Sequence, residues 1–204
     1  MDQGDMKRGG NELQLRLGLP PERLGNIRLL YDEKTSTLVL SSTVQRIGFV
    51  QPMLFVRHVE REGYQSITQL AVEWRRERAT AMHQESTLGL SSPTILGGEL
   101  FFVVNEINLA GPQGRVAGNE LGIGRVGLDT MSFDVWDTRE REQGNCTVTS
   151  LIGVDPAQSC LFAVAGFSVA AEANSGYRIE YAIARLFPEN RSVEIVKRLQ
   201  HIFY

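Results

Sequence analysis

Short runs of β-branched and alternating apolar residues recur along this chain, each divided from the next by a Gly, Pro, Asn or Asp cluster. This punctuation constrains the fold more than any single motif does, because a side-chain period of two suits a pleated strand and disagrees with a helix. Residues 27–31 and 37–44 read as the arms of a hairpin around the turn "DEKTS". Further strands are expected over 53–60, 99–107, 131–137, 146–154, 160–173 and 177–187. Asn174-Ser-Gly176 makes the clearest hairpin turn, joining the last two. Residues 160–173 are apolar on both faces, the pattern of a strand at the centre of a sandwich.

Two segments are harder to place. Within 64–85, Ile67, Leu70, Ala71 and Trp74 fit helical spacing, while Leu70, Val72 and Trp74 alternate as in a strand. Two strands are slightly preferred there, with a helix around 64–83 as the alternative. At the C-terminus, Ser192 as N-cap and Val193, Val196, Leu199 and Phe203 on one stripe predict a short helix. The expected architecture is mainly β: one antiparallel sandwich, jelly-roll or barrel-like domain over 13–204, preceded by a flexible tail over 1–12. Composition agrees. Hydrophobic residues make up 42% of the chain, enough for a core, and glycine, at 20 of 204 residues, exceeds the usual ~7%, which suits turns and bulges. No sequence repeat of fixed period is present.

Several function classes find little support. The net charge of −3 does not favour a dedicated nucleic-acid module. No run of about 18 apolar residues predicts a membrane span, and the polar start "MDQGDMKRGGNE" lacks a secretory h-region, so a cytoplasmic location is expected. Cys146 and Cys160 form no C-x-x-C pair and read as two reduced thiols. His58, His83 and His201 belong to no ligand pattern, so neither metal nor cofactor is expected.

Gly122-Ile-Gly-Arg-Val-Gly127 spells the G-x-G-x-x-G of dinucleotide sites. Such a cradle needs a buried strand before it, a helix after it and an acid about 20 residues on. Here "GRVAGNEL" makes a poor central strand, "LDTMSFDVWDT" disfavours a helix, and Asp155 arrives late. These glycines are expected instead to shape a strand or turn in a sheet.

Asp134 and Trp136 fall on one face of a strand, a combination known from sugar-binding and acid/base sites, and an exposed polar face beside a tryptophan explains them more simply. Trp74, Arg75, Arg76 and Arg78 form the densest basic run, with an aromatic that could stack on single-stranded nucleic acid. Glu73 and Glu77 dilute that charge, so a solvated, salt-bridged segment is favoured. Leu13, Leu15, Leu17 and Leu19 alternate in "NELQLRLGLP". This ladder resembles the L-x-L-x-L repression motif of plant transcriptional regulators, in which alternate leucines enter a co-repressor groove. An edge strand, or an arm laid on a neighbouring subunit, suits the same spacing.

With no catalytic constellation, the sequence favours a non-enzymatic binding or assembly protein that meets itself or another protein through an exposed strand or arm. Viral coat and movement-type proteins are similar in this general character, at the level of fold only. The alternatives are a sheet protein enclosing a small apolar ligand, an enzyme with a dispersed acid/base site, and single-stranded nucleic-acid binding through Trp74–Arg78.

Overall fold

The structure is a computed structural model that describes residues 24–46, 49–60, 63–78, 87–108, 117–138, 146–170 and 177–199. Among the described residues, three four-stranded antiparallel sheets follow one another along the chain, with one helix, and none of them closes into a barrel. Sheet A holds β1 (Leu24–Asp32), β2 (Thr37–Arg46), β3 (Phe49–His58) and the short β4 (Gln65–Ser66), followed by helix α1 (Ile67–Arg78). Sheet B holds β5 (Thr87–Leu96), β6 (Glu99–Asn108), β7 (Ala117–Gly127) and β8 (Phe133–Trp136). Sheet C holds β9 (Cys146–Asp155), β10 (Cys160–Ala170), β11 (Tyr177–Phe187) and β12 (Ser192–Arg198). In every sheet the strand order follows the sequence, so each is a meander, without the crossovers of a jelly roll.

Sheet B is the middle layer. Leu100, Phe102 and Val104 of β6 join Val39, Leu54 and Val56 of sheet A and Ile67 and Ala71 of α1 in one core. Phe101 and Val103 point the other way and join Val148, Leu151, Leu161 and Ala163 of sheet C in a second core. All five of these β6 residues are at most 2% exposed. The strand at the sandwich centre is therefore β6. In β10, Leu161, Ala163 and Ala165 are buried, whereas Phe162 and Val164 on its second face are only half-buried. Polar contacts also join the layers: Gln51 Nε2 donates to the Leu88 carbonyl (2.9 Å), and Ser92 and Ser150 meet through their hydroxyls (3.1 Å). Ser92 has φ +51° within a register shift of β5, and that irregularity bends the strand where it runs beside both β3 and β9.

The first hairpin forms as its residues predict. Asp32 Oδ2 accepts from the Thr35 amide (3.0 Å) and hydroxyl (2.6 Å), an Asx-type turn that closes β1 on β2. Pro52 sits in β3 beside Thr43 of β2, at a point where β4, which pairs only with Phe55 and Val56, supplies no second neighbour.

Residues 67–78, preferred as strands, are helical. Ser66 Oγ accepts from the Gln69 amide (3.2 Å) as an N-cap, and Ile67 and Ala71, one turn apart, are fully buried against sheets A and B. Tertiary burial of that stripe outweighs the alternation of Leu70, Val72 and Trp74. The expected C-terminal helix is a correction in the opposite sense: Ser192–Arg198 is β12. Its Val193, Ile195 and Val196 are β-branched, and β11 offers an open edge along which Ser192–Arg198 pairs antiparallel. Ser192 does not cap a helix; its amide donates to Asn190 Oδ1 (3.1 Å) in the turn that reverses the chain. Phe203 lies outside the described residues.

The "GIGRVG" segment lies within β7, as expected for a strand glycine run. It is followed by a turn and β8, not by a helix. Gly122 has φ +131° at a register shift, and a Cβ there would fall 2.1 Å from the Trp136 carbonyl oxygen. Among the described residues, no helix is long and apolar enough to cross a membrane.

Candidate functional site

Because each sheet is a meander, the turns β1–β2, β5–β6, β7–β8, β9–β10 and β11–β12 gather at one end of the strands. Lys34 Nζ reaches the Gly97 carbonyl there (2.8 Å), joining sheets A and B. A cleft of about 360 Å³ opens at this end between sheets B and C. Leu96, Phe101, Pro156 and Pro188 form its apolar walls, and Glu99 and Glu189 supply carboxylates.

Arg125 of β7 connects those two carboxylates. Its Nε donates to Glu99 Oε1 (2.7 Å), its Nη2 lies 3.3 Å from Glu189 Oε1, and its guanidinium stands 6.0 Å from the Phe101 ring centre. Hydrogen bonding to Glu99 holds the guanidinium pKa above its ordinary value; partial burial opposes this, and Glu189 and Asp134 reinforce it. Beside it, Arg191 donates to Asp134 Oδ2 (2.6 Å). The β11–β12 turn is thus tied to sheet B by two ion pairs, in which Glu189, Arg191 and Asp134 are each more than half exposed.

A second feature lies on the outer side of sheet C. Ile152, Ile179, Tyr181 and Val196 are 54%, 55%, 44% and 46% exposed, and Ile183 and Val164 are half-buried beside them. Ile179, Tyr181 and Ile183 alternate along β11 and so share one face, and exposed apolar side chains grouped in this way mark a surface suited to binding. Arg185 stands 5.7 Å from the Phe162 ring centre and 3.6 Å from Glu194, so charge borders the patch.

The sequence-derived candidates fare differently. Leu13, Leu15, Leu17 and Leu19 lie outside the described residues, as do His83 and His201. The basic run is divided by its helix. Trp74 packs its ring 5.8 Å from that of Phe133, Arg75 is turned inward onto Glu106 of β6, and Arg76 is exposed. The helix does not bring Trp74, Arg75 and Arg76 onto one solvent face; the side chain of Arg78 lies outside the described residues. The inward pair is a consequence of helical spacing, since Arg75 follows Ala71 by one turn.

His58 meets Thr37 Oγ1 through Nδ1 (3.0 Å), and Thr35 Oγ1 carries the chain on to Asp32. Its link to a carboxylate therefore runs through two hydroxyls within a hairpin, which fixes the turn and does not form an acid/base dyad. Asp134 faces Arg191 while Trp136 joins the inner core, so the pair forms no sugar platform. Cys146 and Cys160 are both buried and form no disulfide. Burial raises the Cys160 pKa above its ordinary value, with Asp155 adding to the effect. Sequence reasoning missed the cleft entirely: its residues come from three turns and the strands beside them, and no local pattern joins Glu99 to Glu189.

No protein-family model matches this chain, and no curated protein matches it. Among solved structures, the C-terminal domain of YpeB from Bacillus megaterium aligns over 98% of this chain and 99% of its own, at 11% identity and a TM-score of 0.21. So low a TM-score carries no argument about fold or function.

Proposed function

We propose that this chain is a non-enzymatic assembly protein, which associates with further copies of itself through the outer face of sheet C. The observation that carries the reading is the exposure of Ile152, Ile179, Tyr181 and Val196 on one sheet. Burying such side chains against a second copy gains roughly 25 cal/mol per Å² of apolar surface. A second copy suits the patch because its border carries both signs of charge, Arg185 with Glu194 and Lys197 nearby, so a two-fold can set unlike charges against each other. The leucine ladder Leu13–Leu19 belongs to the same proposal as an arm that strengthens contact between copies.

Light scattering coupled to size exclusion tests this over a concentration series. Wild type is expected to exceed its 22.7 kDa monomer mass as concentration rises. The double variant Ile179→Lys/Tyr181→Lys should remain monomeric while keeping its β-sheet circular dichroism, because both residues are exposed. A wild-type protein that stays monomeric into the millimolar range, and is unaffected by deletion of residues 1–21, overturns the reading.

A further inference from the structure

The cleft between sheets B and C carries an inference independent of assembly. Its carboxylates, Glu99 and Glu189, both direct Oε1 at the one guanidinium of Arg125. Two negative charges share one positive charge, so the three groups together remain net negative. Asp134 and Arg191 neutralise each other beside them; the Lys34 ammonium, held on the Gly97 carbonyl of the lining, is a further cation nearby and forms no ion pair with Glu99 or Glu189 among the described residues. The rest of the lining is Leu96, Gly97, Phe101, Pro156, Ser159 and Pro188, so apolar surface from Leu96, Phe101 and the two prolines stands beside the Ser159 hydroxyl. At about 360 Å³ the cleft falls within the range of small-molecule sites, roughly 300–1,000 Å³.

From this juxtaposition we propose that the cleft is a binding site for a small organic cation: a primary ammonium group on a short apolar body. The ammonium sits against Glu99 and Glu189, and the apolar body lies along Phe101 and the two prolines. An anionic ligand is disfavoured, because the Arg125 charge is already offset by two carboxylates and a third would have to displace one of them. An uncharged ligand would leave the shared carboxylates without a further donor.

Phenethylamine is the probe, and its anionic counterpart 3-phenylpropionate is the control, each titrated into the full chain and followed by amide chemical shifts. Phenethylamine is expected to shift Glu99, Phe101, Ser159 and Glu189 saturably, and 3-phenylpropionate to leave them unmoved. Glu189→Gln should weaken binding on the order of tenfold, as expected for one charge-assisted hydrogen bond to a partly exposed group. Glu189 is a safe site for this change, since its side chain is 73% exposed. Arg125→Gln removes the competing cation and should tighten binding, an effect that mere loss of structure would not produce. Absence of saturable shifts at millimolar phenethylamine overturns the proposal. So does equal binding of 3-phenylpropionate, or Glu189→Gln binding as tightly as wild type.

Discussion

Gly124 of β7 lies directly beneath the ring of its cross-strand partner Phe102, so closely that a Cβ on Gly124 would fall 2.2 Å from Phe102 Cε2. Phe102 is fully buried in the core shared by sheets A and B. The glycine is thus a packing requirement: the ring occupies the space that any other side chain would need.

Gly124→Ala should therefore destabilise the protein by about 2 kcal/mol through overpacking. Phe102→Leu alone should also cost stability, but the double variant should be more stable than the two single effects predict by addition. Urea unfolding of the four proteins measures the coupling. Strict additivity would show that the contact carries no strain.

Arg75 and Glu106 are 13% and 6% exposed, so this ion pair is desolvated in a way the exposed pairs are not. Arg75→Met leaves the Glu106 carboxylate buried without its cation and should cost about 3 kcal/mol. Arg76→Ala, one residue along on the solvent side, should change stability by less than about 0.5 kcal/mol. Comparing their thermal midpoints separates a structural arginine from a surface one.

The joint between sheets B and C offers a similar contrast. Arg191 and Asp134 are 52% and 53% exposed, and pairs of this kind contribute roughly 0–1 kcal/mol. Leu161 is 0% exposed in the second core, where truncation costs about 3 kcal/mol. Leu161→Ala should therefore lower the urea midpoint far more than Arg191→Ala does. The reverse order would assign the joint to its ion pairs.

Cys160 holds its proton more tightly in the folded protein than in the unfolded chain, because burial raises its pKa above the ordinary 9.0. Its contribution to stability is complete below that ordinary value and declines as pH rises above it. The urea midpoint should fall between pH 9 and higher pH more steeply in wild type than in Cys160→Ala. Near pH 8 the thiol should react with a thiol-specific reagent only after unfolding.

The strands at 99–107, 146–154 and 177–187 were legible because each alternation or apolar run matches a pleated surface whose two faces meet different neighbours. The arms around Asp32–Ser36 were legible because Asp32 and Thr35 make the turn from their own side chains. The candidate site was scarcely legible. The cleft draws Gly97, Pro156 and Glu189 from separate turns and Glu99 from the start of β6, and the inward rotation of Arg75 depends on the carboxylate that β6 places opposite it.

By itself the sequence determined the mainly-β class, most of the strands and the strand conformation of "GIGRVG", since these depend on local spacing and on the chemistry of adjacent residues. Only the tertiary structure decided that 67–78 is a helix and 192–198 a strand. Both segments carry an ambiguous apolar spacing. The first is resolved by a core ready to bury Ile67 and Ala71, and the second by the open edge of β11. Tertiary structure likewise decided that β6, and not β10, lies between the two cores, because which apolar strand is covered on both faces depends on how three meanders stack.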